Sequence, residues 1–227
     1  MDARRVNIEQ TAISVTLKLA KFLHTIPHPG TSAFSLLRDS LLEFGLSWKS
    51  VSFENRSARL GDAVLKFNLF RETVSIKMFV DQVEISIGTN FNDTLPQVGT
   101  VLVRLGEILQ LADTEARVSE VDVLVRAHFT LPGSDADAHL NEFLPPRHGA
   151  SADAFGFRIE PESKYLAMKG RLTIARSTQI SGGLFAEWAA TLSDFPELPT
   201  VTSRTAGEFV RVMRLFRLDV NEDKDAA

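Results

Sequence analysis

The meander between residues 63 and 88 constrains the fold of this chain more than any other stretch. Apolar side chains occupy alternate positions in three successive runs, namely Leu65, Phe67 and Leu69, then Val74, Ile76 and Met78, then Val83, Ile85 and Ile87. This period of two is typical of antiparallel strands with one buried face. Because only two residues separate each run from the next at 71–72 and 81–82, the connections must be hairpins. The sequence therefore predicts three neighbouring strands of one sheet.

Strand and helix patterns continue on both sides of the meander. Alternation predicts strands over residues 12–19, 47–53, 120–131, 155–159, 166–175 and, against a competing helical pattern, 184–192. Helical spacing predicts one helix from Thr31 or Ser32 to Gly45, and another that starts at Asp93 or Thr94. A capping-box pattern at 134–137 predicts a short helix. A final helix is predicted to start at Thr202 or Ser203 and to run to about Arg217.

The order strand, helix, meander, helix occurs twice along the chain, and it sets the predicted fold class. Residues 12–111 give this order once, and residues 120–217 give it again. We predict an α+β protein of two such halves, residues 1–115 and 116–220, that form largely antiparallel sheets with helices packed on one face. The acidic residues 221–227 are predicted to be a disordered tail.

Composition restricts the classes of function that the chain can have. The 227 residues are 44% hydrophobic, which is ample for a core, and the net charge is −4, so a contact with nucleic acid would need a local basic patch. Apolar runs are too short to span a membrane, and the first residues lack the unbroken apolar segment of a secretory signal. The absence of cysteine excludes disulfides, thiolate metal sites and a cysteine nucleophile. We expect a cytoplasmic protein that binds neither membrane nor nucleic acid.

Two groups of side chains have spacings that could suit a metal ion. His24 and His28 are four residues apart, but the prolines at 27 and 29 prevent the helix on which that spacing would bring two ligands together. The second group is Asp135, Asp137 and His139. Helix capping explains both of its aspartates without a metal. Glycine-rich phosphate loops and the nucleophile elbow are absent. The sequence therefore predicts no metal, no cofactor and no catalytic residue.

The last helix carries the one organised surface feature that the sequence shows. Its apolar face is formed by Phe209, Val212, Met213 and Phe216. The opposite arc holds Arg204, Arg211 and Arg214, with Leu215 among them. A solvated helix face whose arginines pair with acidic neighbours would give the same pattern. We predict that these four residues form a partner-binding surface.

Apolar residues on the polar phase of otherwise regular elements indicate self-association. They are Phe70, Phe79, Leu124 and Leu215. Burial within one chain would also explain the first three of them. Because two-fold self-association is the commonest way to cover an apolar surface, we predict a homodimer.

Two functions of different classes agree with these patterns. The first is a non-catalytic interaction or assembly module that self-associates, binds a protein partner, or both. The second is an RNA-processing endoribonuclease, because two strand–helix halves with His24 and His28 after the first strand resemble the repeat-cleaving endoribonucleases of CRISPR systems. That resemblance implies paired ferredoxin-like halves and a histidine general base. The chain departs from it by lacking a glycine-rich loop near the C-terminus, by having more strands in each half and by being acidic. The first function is therefore preferred.

Overall fold

A computed structural model describes residues 4–23, 30–46, 49, 51–55, 63–70, 72–88, 91–112, 115–133, 135–143, 156–160, 169–192 and 198–220. These residues form an α+β protein with a large antiparallel sheet and four α-helices. The α+β class and the antiparallel sheet are thereby confirmed. The arrangement as two repeated halves stays a prediction.

The described residues form ten strands and four α-helices. The strands are β1 (Arg4–Leu19), β2 (Ser52–Asn55), β3 (Ala63–Leu69), β4 (Val74–Met78), β5 (Gln82–Gly88), β6 (Val118–Thr130), β7 (Gly156–Ile159), β8 (Lys169–Arg176), β9 (Leu184–Leu192) and β10 (Leu218–Val220). The helices are α1 (Ser32–Leu41), α2 (Phe91–Ala112), α3 (Ala136–Asn141) and α4 (Leu198–Leu215). The strand order is β2-β3-β4-β5-β1-β6-β9-β8-β7, and β10 pairs in parallel with the start of β1. No helix among the described residues is long and apolar enough to cross a membrane.

The meander is present as predicted. Strands β3, β4 and β5 pair antiparallel, with Phe67 opposite Ile76 and Ile76 opposite Ile85. These three side chains are essentially inaccessible to solvent. Alternation therefore identified both the strands and the face that they bury.

The helix starts were predicted less well than the strands. Thr31 caps α1 as expected, accepting a hydrogen bond from the backbone of Phe34, and Gly45 ends that segment in the left-handed conformation. In contrast, α2 begins at Phe91 rather than after Asp93 or Thr94. Helix α4 begins at Leu198, so the predicted caps at 202 and 203 lie inside it.

A proline and a side-chain hydrogen bond explain why the start of α4 was predicted wrongly. Pro199 stands in the first turn, where a missing N–H costs nothing. The Ser203 hydroxyl donates to the carbonyl of Thr200, one turn earlier in the helix. Hydroxyl residues that bond back in this way occur inside helices as well as at their starts.

The end of α4 also differs from the prediction. The helix ends at Leu215, and Arg217 adopts a positive φ of 56° before the chain enters β10. The backbone N–H of Arg4 donates to the carbonyl of Arg217 at 2.7 Å, which begins the β1–β10 pairing. A strand of three residues is too short to show a periodic pattern, so β10 was not predicted.

Two further segments that were predicted as strands are strands in the structure. The ambiguous stretch at 184–192 is strand β9, in which Leu184, Ala186 and Trp188 are buried at alternate positions. The strand expected over 47–53 is β2, which begins later, at Ser52. Residues 47, 48 and 50 lie outside the described part of the chain.

Contacts between Cα atoms divide the chain into two units. The terminal unit consists of Met1–Ala12, Leu124–Ala190 and Thr205–Ala227, and the central unit of Ile13–Val123 and Thr191–Arg204. The predicted boundaries at 115 and 220 remain a proposal. The predicted acidic tail lies outside the described residues.

The core of the central unit is the buried face of the meander together with α2. The apolar stripe of α2 is completely buried and consists of Val98, Val101, Leu102, Leu105, Ile108 and Leu109. Helix α1 packs against α2. Gly99 and Gly106 of α2 both face the residues that start α4. A Cβ at Gly99 would lie 3.4 Å from the Pro199 carbonyl oxygen, and one at Gly106 would lie 3.0 Å from a Leu198 methyl group.

The core of the terminal unit is built by β6, β9 and α4. The rings of Phe129 and Phe209 stack with their centroids 6.4 Å apart and their planes 15° apart. Trp188 is completely buried. Phe143 contacts Phe216 at a centroid distance of 5.4 Å. Aromatic side chains therefore supply much of the apolar area that stabilises this unit.

Candidate functional site

The two groups whose spacing could suit a metal ion were weighed against plainer explanations, and the structure describes only the second of them. His24 and His28 lie outside the described residues. Asp135 caps α3 by accepting the backbone N–H of Ala138 at 2.7 Å, and Asp137 forms an ion pair with Arg176. Among the described residues, no three histidine or carboxylate side chains are grouped so that they could hold a metal ion. The capping interpretation is therefore confirmed for Asp135.

His139 of α3 is a buried histidine at a junction of three elements of the terminal unit. Its Nδ1 lies 3.3 Å from a guanidinium nitrogen of Arg4 in β1. The carboxylate of Glu142, the residue that follows α3, pairs with Arg4 and with Arg217, which follows α4. Burial lowers the pKa of His139, and the nearby charges of Arg4 and Arg217 lower this pKa further, against the opposing effect of Glu142. Burial and the two guanidinium groups therefore favour the neutral form of His139 at this junction.

Polar side chains of β6 form ion pairs and hydrogen bonds with residues of other segments of the sheet. In the terminal unit, Arg126 pairs with Glu187 at 2.8 Å, and His128 Nδ1 lies 2.8 Å from the hydroxyl oxygen of Ser177. That oxygen also accepts the backbone N–H groups of residues 179 and 180. In the central unit, Lys18 binds Asp122 at 2.7 Å, and the hydrogen bonds of Lys18 to Asp122 and Glu120 raise its pKa. Each of these polar groups stabilises the sheet or a turn, so we interpret the Ser177–His128 pair as structural.

The predicted arginine surface of α4 is exposed, and two of its arginines form ion pairs within the chain. Arg204 belongs to the central unit, whereas the other three residues belong to the terminal unit. Arg211 lies 3.1 Å from a carboxylate oxygen of Glu208, and Arg214 lies 3.4 Å from Asp219. Glu208 is buried, so Arg211 neutralises a carboxylate that water hardly reaches. Leu215 is 45% exposed beside these arginines.

Three of the four apolar residues that motivated the dimer are not fully exposed. Phe70, Phe79 and Leu124 are half-buried, and Phe70 contacts Phe44 at a centroid distance of 5.6 Å. Burial within one chain, the alternative explanation, therefore accounts for part of their surface. Leu215 remains exposed.

A different set of large apolar side chains is exposed instead. Four of the five in the described part of the chain belong to the central unit, namely Phe22, Leu42, Phe53 and Leu111. Phe22 is 70% exposed and Leu111 is 67% exposed. Scattered single cases are normal on protein surfaces, whereas a large contiguous apolar patch marks an interaction site.

The central unit contains an apolar groove. The groove has a volume of about 380 Å³. Its apolar lining consists of Leu19 at the end of β1, Leu109 of α2, Val118 at the start of β6 and Leu198 at the start of α4. Phe22 stands three residues after the first of these, and Leu111 stands two residues after the second. This volume falls in the lower range of natural binding pockets.

Charges mark one edge of this groove. Arg117 lines it, is exposed and has no carboxylate partner among the described residues. Its carbonyl accepts the backbone N–H of Ala20 at 2.9 Å, which fixes the backbone beside the groove. Lys21 and Glu115 form an exposed ion pair of 2.5 Å in the same stretch of chain. The groove therefore combines an apolar floor with an arginine for which the described part of the chain provides no carboxylate partner.

A second groove of about 340 Å³ lies where α2 meets the start of α4. Its charged residues, Arg104 and Glu107, pair with each other at 2.8 Å, and this hydrogen bond raises the pKa of Arg104. The second groove therefore offers no uncompensated charge to a ligand.

Part of the exposed apolar surface could have been found from the sequence. Successive residues of a helix are 100° apart, so Leu111 lies about 200° from Leu109 and faces away from the buried stripe of α2. Phe22 follows the last regular position of β1 and precedes the two prolines, where no periodicity applies. The groove itself joins residues 19, 109, 118 and 198, which only the folded chain brings together.

Comparisons with known proteins give little further information. No protein family model matches the chain, and no curated protein matches it. Among solved structures, the chain is similar to the type VII secretion system chaperone EspG5 of Mycobacterium tuberculosis, solved in complex with the PE25-PPE41 dimer. That similarity covers 89% of this chain and 74% of the chaperone chain, at 10% identity and a TM-score of 0.23. These values are too low to establish a shared fold.

Proposed function

We propose that the protein is a non-catalytic interaction module that self-associates as a homodimer and can hold a protein partner. One observation carries this proposal: four of the five exposed large apolar side chains of the described residues lie on the central unit. Covering such side chains stabilises an assembly by about 25 cal/mol for each Å² of apolar surface removed from water.

The partner-binding role of Arg204, Arg211, Arg214 and Leu215 remains part of the proposal. Exposed arginines around an apolar side chain resemble the composition of protein interfaces, which are enriched in arginine. The intramolecular pairs of Arg211 and Arg214 weaken this surface as a source of binding energy. Cytoplasmic location and the absence of nucleic-acid binding stay predictions. RNA processing is not proposed, because no described residue favours it.

Self-association is tested by light scattering coupled to size-exclusion chromatography over a concentration series. We expect a mass of twice 25.1 kDa at tens of micromolar, falling toward 25.1 kDa on dilution. The reason is that exposed apolar surface on each copy is removed from water in the dimer. A constant mass of 25.1 kDa at every concentration would contradict the proposed function.

A further inference from the structure

We infer that the groove lined by Leu109 and Arg117 binds an amphipathic carboxylate, a small ligand whose alkyl chain lies on the apolar floor and whose carboxylate meets Arg117. This inference goes beyond the proposed self-association and does not depend on it. A volume of about 380 Å³ falls within the range of small-molecule sites. The described residues that line the groove are apolar except for Gln110 and Arg117, and none of them is acidic.

The floor of the groove is apolar surface that the fold leaves partly open to solvent. Leu19, Val118 and Leu198 come from the end of β1, the start of β6 and the start of α4, and each of them is only half-buried. Gly106 of α2 also lines the groove, and the Cβ that it lacks would lie 3.0 Å from a methyl group of Leu198. Glycine is unfavourable inside a helix, but here it keeps the groove open. An alkyl chain in the groove removes these apolar groups from water.

The polar part of the lining is suited to an anion. Arg117 is exposed, and the described part of the chain provides no carboxylate partner for it. Its guanidinium can donate two parallel hydrogen bonds to one carboxylate, and the amide of Gln110 also carries N–H donors. The nearby carboxylate of Glu115 pairs with Lys21 at 2.5 Å, and neither of these two residues lines the groove. The lining therefore favours a negative group over a neutral or a cationic one.

The hydrogen bonds beside the groove favour an alkyl chain over a peptide. The backbone N–H of Leu19 donates to the carbonyl of Asp81 at 2.9 Å, and that of Ala20 donates to the carbonyl of Arg117 at 2.9 Å. These groups are therefore not available to an extended peptide, which binds largely through its backbone hydrogen bonds. A peptide bond on the apolar floor would also give up its hydrogen bonds to water, whereas an alkyl chain has none to give up.

The role of Arg117 is tested by calorimetric titration with octanoate, 1-octanol and octylamine, which share one chain length and differ in charge. We expect the wild type to bind octanoate about five- to tenfold more tightly than 1-octanol, and octylamine more weakly still, because hydrogen bonds to charged groups are strong. Arg117→Gln should bind octanoate and 1-octanol equally, whereas Arg117→Lys should keep part of the preference. The matched control is Arg104→Gln, which removes an exposed arginine of the second groove and should leave the affinity for octanoate unchanged.

The apolar floor is tested by Gly106→Ala. The added methyl group crowds Leu198 and narrows the groove, while alanine is well tolerated by the helix itself. We expect the affinities for octanoate and for 1-octanol to fall together, by about tenfold. The matched control is Gly99→Ala on the same helix, which does not line this groove and should bind octanoate like the wild type. Circular dichroism and melting curves show that every variant is folded.

Three results would overturn the inference. The first is a wild type that binds none of the three probes, or binds octylamine as tightly as octanoate. The second is an Arg117→Gln variant that keeps the full preference for octanoate, because the carboxylate would then lie elsewhere. The third is tighter binding of a short apolar peptide with a free C-terminal carboxylate than of octanoate, which would make the occupant a peptide. None of these results changes the mass of the protein in solution, so each leaves the proposed function standing.

Discussion

Replacing Trp188 by alanine is expected to lower the free energy of unfolding by about 3–5 kcal/mol. Trp188 is the largest of the completely buried side chains and lies in β9, at the core of the terminal unit. Its removal leaves a cavity that the surrounding sheet can close only in part. Urea denaturation at a fixed protein concentration measures the change.

Gly170 provides an independent check of the Trp188 environment. A Cβ at Gly170 would lie 2.4 Å from two ring atoms of Trp188 and 2.7 Å from the carbonyl oxygen of Ala189. We expect Gly170→Ala to cost about 1–3 kcal/mol in the wild type and clearly less in the Trp188→Ala background, where the ring is absent. The carbonyl contact keeps the second cost above zero.

Gly207 in α4 is the matched control for this pair. A Cβ at Gly207 has no neighbour within 4 Å, so Gly207→Ala should stabilise the helix by up to about 1 kcal/mol. Equal costs of Gly170→Ala in both backgrounds would show that β8 and β9 do not bring Gly170 against the Trp188 ring.

The second large effect is a loss of stability in acid that depends on His139. Burial lowers the pKa of His139 in the folded protein, so the unfolded chain binds more protons in the range below the ordinary value of about 6.5. The contribution of His139 to stability is therefore fully present above that value. It is lost as the pH falls from about 6.5 toward the lowered pKa of the folded state. Each unit of lowering corresponds to about 1.4 kcal/mol.

The two arginines near His139 act in this direction, and Glu142 opposes them. Protonated His139 would stand beside Arg4 of β1 and Arg217 after α4, with Glu142 as the one carboxylate of the group. We expect His139→Asn to flatten the pH dependence of the urea midpoint between about pH 8 and pH 5. The control is His128→Asn. Burial lowers the pKa of His128 as well, but its half-buried ring has fewer charged neighbours. An unchanged pH profile in His139→Asn would contradict the assignment.

The strands could be predicted from the sequence because each buries one face. In β3, β4, β5 and β6, the side-chain period of two coincides with the burial that the structure shows. The phase of β1 also changes as its sequence indicates, with Val6 buried near its start and Ile13, Val15 and Leu17 buried further along. Helix starts were harder to predict, because serine, threonine and aspartate occur both at caps and inside helices.

The candidate site could be predicted only in part, because it depends on tertiary contacts. The exposure of Leu111 follows from the helical period, whereas that of Phe22 follows from no local pattern. The half-burial of Phe70 depends on Phe44, which is distant in sequence. Glu208 gives the clearest example on α4, since its burial converts Arg211 from a surface charge into a partner of a buried carboxylate. Sequence periodicity gives the face of an element but not what covers that face.

A spin label at Glu107 tests most directly whether two copies of this chain associate through the exposed apolar residues of the central unit. The chain has no cysteine, so Glu107→Cys carries the label at one position, and any dipolar coupling between labels must be intermolecular. Residue 107 is exposed and lies one helical turn before Leu111, on the same side of α2. We expect a defined coupling that disappears on dilution with unlabelled protein and when Phe22→Ser and Leu111→Ser are added. A labelled protein with the mass of a dimer but no coupling would contradict dimerisation through these residues.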